Sequence, residues 1–249
     1  MDFSIKAFDT KNTITSAKTG CVAVAVFENK KMSQAAKALD QGGEITAALK
    51  SGDITGKPGS TLMLRGVSGA AAARVLLVGM GNDETISEKS FTLAVTATLK
   101  TFASIGATDA IIALPMTDVK DRDVSWAVRC VVIAANESEL RTDAQKSKKD
   151  PVPNGVRKIT LATEASPQVK ATLAQAIAIA NGMNLTKELG NLSPNVCTPT
   201  YLANTAKELA AEFNFGVEVL ERKQLEALKM GSFLSVTTGT DQPPKFIVL

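Results

Sequence analysis

The sequence contains no histidine. Without an imidazole the chain cannot assemble a Ser-His-Asp or Cys-His nucleophile by itself. The commonest zinc ligand is missing too, which leaves carboxylates, Lys, Ser and Thr to carry any chemistry. Aromatic residues make up only 4% of the chain, with a single tryptophan, Trp126, and a single tyrosine, Tyr201. The three cysteines, Cys21, Cys130 and Cys197, are odd in number, widely spaced and outside any CxxC pair. They suit free thiols in a reducing cytoplasm rather than a disulfide framework. The opening residues, MDFSIKAFDTK, lack the basic and apolar regions of a secretory signal. No apolar run reaches the ~18 residues of a membrane span.

One-sided charge is also absent. Lys and Arg number 28 against 25 Asp and Glu, for a net charge of +3. With no dense block of one sign, an obligate nucleic-acid partner is not expected. The most basic stretch, Arg141 to Lys158, is interrupted by Asp143, Asp150, Pro151 and Pro153, and reads as a solvated loop.

What is present is a hydrophobic fraction of 45% over 249 residues, enough for a sizeable core in one or two domains. Short β-branched runs alternate with helical patterns, which predicts an α/β architecture. Strands are expected at Phe3–Phe8, Cys21–Phe27, Thr61–Leu64, Arg74–Val78, Ala110–Leu114 and Lys158–Ala162. The run CVAVAVF is apolar throughout and suits a strand buried on both faces. Helices are expected at Lys31–Leu39, from Ser87 as N-cap to Ile105 with Gly106 as the stop, and at Asp123–Glu139. Ser166-Pro167 starts a further helix that Gly190 should end. Thr198-Pro199 repeats that start, with the stripe Leu202, Ala206, Leu209 and Phe213 and a stop at Gly216. A strand at Val217–Leu220, a short helix at Arg222–Leu228, a strand at Phe233–Val236 and the beginning of another at Lys245–Leu249 follow. The chain stops inside this apolar run, which predicts the front portion of a longer protein.

Several stretches imitate functional motifs. RVLLVGMGND, Arg74 to Asp83, places G-x-G after a strand, but Glu84 stands where a dinucleotide loop needs its third glycine. GDITGKPGS, Gly52 to Ser60, follows its lysine with Pro58 rather than Ser or Thr, so it fails as a phosphate loop. GVSGA, Gly66 to Ala70, misses the last glycine of a nucleophile elbow and has no histidine to serve it. Asp118, Asp121 and Asp123 lack calcium-loop spacing and are expected to favour the N-terminus of the following helix. From these residues alone no active site assembles.

NLSPNVCTPTYLA, Asn191 to Ala203, is stiff and rich in hydrogen-bonding side chains. Three features of this region match, in order, the leucyl aminopeptidase (cytosol aminopeptidase) family of dinuclear-metal exopeptidases. They are Asn191-x-x-Pro194-Asn195-x-x-Thr198-Pro199, then Leu228-x-Met230-Gly231, then the run from Gly239 to Val248. The earlier half is similar more loosely, through Gly59-x-Thr61-Leu62-x-Leu64, Arg74 to Gly79, and Arg141-x-Asp143-x-x-Lys146-Ser147.

The resemblance implies a macro-like α/β N-terminal domain with a mixed sheet over residues 1–163. It places a connector helix and the start of a three-layer α/β/α metallo-exopeptidase domain at 164–249. It also implies a cytoplasmic homo-hexamer that removes Leu-like residues from the N-termini of peptides, using two divalent ions, Mn, Zn or Mg, bound by Lys, Asp and Glu. The family's ligand segments follow the Ile-Val strand. No residue here matches them, so no catalytic, substrate-binding or metal-ligating residue is assigned, and this stretch is expected to bind no metal and to be inactive alone. The resemblance leaves a DNA-binding, regulatory role of the assembled protein as the alternative, and nucleotide or ADP-ribose binding at the Gly79–Gly81 turn as a third. The Asn191 loop itself is expected to be a structural corner that touches no substrate.

Overall fold

The strands form where β-branched residues run together, and the helices form where a polar side chain can satisfy the first free amides. The computed structural model describes residues 1–8, 13–82, 85–139, 141, 143, 145–149 and 155–249. Contacts divide the chain into two units, Met1–Asn184 and Leu185–Leu249.

In the first unit, strands β1 (Asp2–Lys6), β2 (Val22–Val26), β3 (Thr61–Arg65), β4 (Arg74–Gly79), β5 (Asp109–Ala113) and β6 (Lys158–Ala162) form one sheet. The order is β1-β6-β5-β2-β4-β3. All neighbours are parallel except the edge pair β3 and β4, so the sheet is mixed and the α/β class holds. The two faces of β2 explain its unbroken apolar run. Ala23 and Ala25 join a core with Leu76, Val78 and the helices α3 (Glu88–Phe102), α4 (Val124–Glu139) and the first part of α5 (Pro167–Asn191). Val22, Val24 and Val26 face the opposite core, with Val75, Leu77 and the helices α1 (Gln34–Leu39) and α2 (Glu44–Ser51). With both faces covered, every residue of the strand is apolar.

The helix starts expected at Ser87 and Ser166 are borne out by their caps, whereas the helix expected from Lys31 begins only at Gln34, after Ser33. The Ser87 hydroxyl accepts from Ser90 N–H at 3.1 Å, and Ser166 accepts from Val169 N–H at 3.3 Å. Each such cap satisfies an amide that the helix itself leaves free. The ends of α3 and α5 differ from expectation. α3 stops at Phe102 rather than Ile105, with Ala103 as its C-cap. α5 runs through Gly190 to Asn191, because an interior glycine weakens a helix by only about 1 kcal/mol and does not forbid it. In the first unit the helix α2 was not expected. It starts after Gly43, and the Asp40 carboxylate receives the N–H groups of Ile45 at 2.8 Å and Thr46 at 3.3 Å.

In the second unit, α6 (Pro199–Phe213), α7 (Arg222–Ala227) and α8 (Gly231–Ser235) accompany a two-stranded antiparallel sheet of β7 (Glu218–Leu220) and β8 (Phe246–Val248). Thr198 caps α6 through Tyr201 N–H at 3.2 Å. Asn214, in the left-handed conformation at φ 54°, ends it before Gly216 is reached. The segment expected as a strand at Phe233–Val236 is instead occupied by α8. The buried stripe of α6 is Ala203, Ala206 and Ala210, not the larger Leu202, Leu209 and Phe213. No helix among the described residues is long and apolar enough to cross a membrane.

Candidate functional site

The two glycine stretches that imitate ligand loops meet each other. Gly79 N–H donates to Ser60 O at 2.8 Å, Gly59 N–H donates to Gly79 O at 3.0 Å, and Gly81 N–H donates to Gly56 O at 2.8 Å. A Cβ on Gly79 would lie 2.1 Å from Lys57 O and 2.3 Å from Ser60 Oγ. Gly81 has φ +84° and faces the Pro58 ring. These glycines exist because one backbone passes hard against another, a requirement only glycine meets. Amides that would cradle a phosphate are already spent on carbonyls. Asp83 and Glu84 lie outside the described residues.

In open parallel sheets ligands bind beyond the carboxyl ends of the strands. Here those ends run into Phe27 after β2, Met80 after β4 and Leu114 and Met116 after β5, all buried. Ile86 and Val119, also buried, bridge beside them in parallel. Apolar side chains thus fill the usual crevice. A concavity of about 200 Å³ lined by Asn29, Lys30, Leu49, Gly52, Ile54 and Thr55 is smaller than the ~300–1,000 Å³ of typical ligand pockets.

Ser68, from the elbow-like GVSGA, donates both its N–H, at 3.0 Å, and its hydroxyl to the Glu44 carboxylate. Those bonds, the hydroxyl's first, hold the Glu44 carboxyl below its ordinary range. A serine hydroxyl donated to a carboxylate whose pKa is held low has only a weak base beside it, and so acts as a structural donor rather than a nucleophile.

The aspartates 118, 121 and 123 do not converge. Asp118 accepts from the Thr117 hydroxyl at 2.8 Å, and Asp121 turns the chain at φ 57°. Asp123 accepts from Trp126 N–H at 2.8 Å and so caps α4, the helix-start role expected for the group. Among the described residues no three Cys, Asp or Glu side chains gather as a metal site.

Of the basic run, Arg141 pairs with the buried Asp143 carboxylate, while Asp150, Pro151 and Pro153 lie outside the described residues. Cys21 is wholly buried, and burial pushes its thiol up to about 12. Burial also raises the Cys130 thiol. Neither is a ready thiolate.

The Asn191 stretch is held by its own hydrogen bonds. Asn191 Nδ2 donates to Lys187 O at 2.7 Å, back into α5. Cys197 N–H donates to Ser193 O at 2.9 Å, and the Ser193 hydroxyl donates to Asn195 Oδ1. Thr198 then caps α6, so the polar side chains of this loop shape the turn.

The chain's likeness to known proteins runs along its whole length. The family model described as "Cytosol aminopeptidase family, N-terminal domain" matches residues 23–149, and the one for the catalytic domain matches residues 184–249. A "Probable cytosol aminopeptidase" of Herminiimonas arsenicoxydans is 62% identical over 251 residues, which cover 100% of this chain and 50% of the relative. Another of that name from Ralstonia pickettii is 45% identical, with 100% and 51% covered. Among solved structures, a mutant of tomato leucine aminopeptidase superposes with a TM-score of 0.77 at 24% identity, over 99% of this chain and 50% of that one. The bottromycin maturation enzyme BotP in complex with Mn gives 0.71 at 20% identity, over 92% and 44%. These two carry the fold. The chain spans about half the length of the curated relatives it matches. With the two domain models matching in order over most of its residues, the chain belongs to the cytosol aminopeptidase family.

Proposed function

We propose that this chain is the N-terminal part of a leucyl aminopeptidase that removes N-terminal, Leu-like residues from peptides by two-metal catalysis in the cytoplasm, as a homo-hexamer. On this reading residues 1–163 are a non-catalytic domain and residues 164–249 open the catalytic one. The observation that carries it is the pair of family matches in sequential order, over a chain half the length of relatives named cytosol aminopeptidases. Manganese or zinc, when bound to the whole enzyme, would polarise the scissile carbonyl and supply a hydroxide near neutral pH. The residues of this chain would support that centre without holding it.

The test compares this 249-residue chain with a longer product of the same reading frame on leucine p-nitroanilide, with Mn²⁺ or Zn²⁺ added. The longer product should turn over the substrate and the short chain should not. Hydrolysis by the short chain, purified to constant specific activity, would place the chemistry in residues argued here to be structural.

A further inference from the structure

The six-stranded sheet of the first unit has two edges, β1 and β3, and one of them is complementary to itself. Among the described residues β1 pairs with β6 alone, in parallel. Asp2 N–H donates to Arg157 O at 2.8 Å across that pair, and Ser4 and Lys6 share its orientation because successive strand residues alternate. The N–H and C=O groups of Phe3 and Ile5 therefore point away from β6, toward the open edge. The Phe3 and Ile5 side chains are half-buried against the core under α3, α4 and α5. Asp2, Ser4 and Lys6 project from the other face, where the Ser4 and Thr160 hydroxyls meet at 2.9 Å. Asp2 and Lys6 are exposed. Natural edge strands are usually blunted by a proline, a bulge or a charge in mid-strand. β1, DFSIK, has none of these: its charges stand at its two ends and are opposite in sign.

An antiparallel second copy of β1, with the twofold axis at Ser4, satisfies this edge. Phe3 faces Ile5 of the second copy and Ile5 faces its Phe3, so the outward amides and carbonyls bond in both directions on each side of the axis. Phe3 and Ile5 then also pack side by side on the core face. Ser4 meets Ser4, and Asp2 falls opposite Lys6 at both ends. These are non-hydrogen-bonded positions, where opposed side chains come closest and opposite charges are favourable. Lys6 Nζ now lies 5.3 Å from the centre of the Phe8 ring, a contact its flexible stem can exchange for the carboxylate. β3, TLMLR, has no such match, because pairing about Met63 sets Arg65 against Thr61. We infer that β1 is a self-pairing edge through which a second copy of this chain joins its sheet to this one. The inference goes beyond the proposed function: it needs no catalytic activity and rests on the first unit alone.

The test follows self-association by sedimentation for the untagged 249-residue chain, for Asp2→Lys, for Lys6→Asp, and for an equimolar mixture of the two variants. Asp2→Lys sets lysine against lysine at both ends, Lys6→Asp sets aspartate against aspartate, and the mixture restores opposite charges. Both positions are exposed, so each variant should keep wild-type urea unfolding by Trp126 fluorescence. The expected result is concentration-dependent pairing of the wild-type chain, roughly tenfold weaker for each variant alone, and 1:1 association of wild-type strength in the mixture. Amide exchange at Phe3 and Ile5 should slow as the wild-type chain pairs, while Thr61–Arg65 stays unchanged. A wild-type chain that remains monomeric overturns the proposal. So does association that both variants keep at wild-type strength, which would place the contact elsewhere. Variants that weaken alone and do not recover on mixing overturn it too, because opposed charges would then not set the register.

Discussion

Replacing Gly79 with alanine puts a methyl group where the structure has none to spare. Its Cβ would lie 2.1 Å from Lys57 O, 2.3 Å from Ser60 Oγ and 2.8 Å from the Gly56 carbonyl carbon. Two of the three neighbours are backbone, so no side-chain rotation relieves the overlap, and the loop from Gly56 to Ser60 must move. Forcing an extra methyl into a packed site costs about 1–3 kcal/mol. Moving the loop also strains the Gly79–Ser60 and Gly59–Gly79 hydrogen bonds, each with a net contribution of about 0.5–1.5 kcal/mol. A destabilisation of roughly 2–4 kcal/mol follows. With a urea slope of ~1–3 kcal/mol per molar, the unfolding midpoint should fall by about 1–2 M. The assay is urea unfolding followed by Trp126 fluorescence, which reports the first unit alone because the chain has no other tryptophan. Gly106→Ala is the control, since no atom lies within 4 Å of its Cβ position and its φ is ordinary. It should shift stability by no more than about 0.5 kcal/mol. Equal midpoints for the two variants would refute the claim that the glycines serve chain-on-chain contact.

Three further outcomes are expected. Asp123→Ala removes the cap on Trp126 N–H and should lower first-unit stability by about 1 kcal/mol in the same urea assay, with Asp123→Asn recovering most of it. Leu225→Ala, at the one large aliphatic side chain buried in the second unit, should cost about 2–5 kcal/mol. Limited proteolysis should then cut within residues 199–249 while the Trp126 transition stays in place. The Cys21 thiol ionises ordinarily at 9.0 and in the fold at about 12, so its contribution to stability is complete below pH 9 and fades as pH climbs through that window. At pH 8 iodoacetamide should label the half-exposed Cys197 well before Cys21, whose labelling should track global unfolding.

The fold was legible wherever one signal sufficed. β2 is a continuous apolar run, and Ser87 and Ser166 in the first unit and Thr198 in the second stand one residue before their helices, so local chemistry and fold agree. α2 escaped notice because it is only eight residues long and its amide acceptor, Asp40, stands four positions before its first residue, across Gly42 and Gly43. Phe233–Val236 has the composition of a strand, yet those residues form helix and turn. Short apolar stretches of this kind are decided by their neighbours. The stripe expected on α6 was Leu202, Ala206, Leu209 and Phe213, of which only Ala206 is buried, beside Ala203 and Ala210. Of the site, the sequence held the negative part: three glycine stretches and three aspartates that fit no ligand motif. That two of those stretches press on each other has no sequence signal, since Gly56 and Gly79 are brought together by strand pairing, of β4 with β3 and with β2.

That contact changes what kind of segment Gly56–Ser60 is. A turn at the protein surface usually tolerates insertions and drifts freely between homologues. This one is a wall for the end of β4, so a residue inserted at Lys57 or Pro58 has to be answered by a change at Gly79 or Gly81. The two stretches should vary as a pair. A pattern search that scores each for phosphate-loop character would count, as two independent signals, the two halves of one mechanical joint.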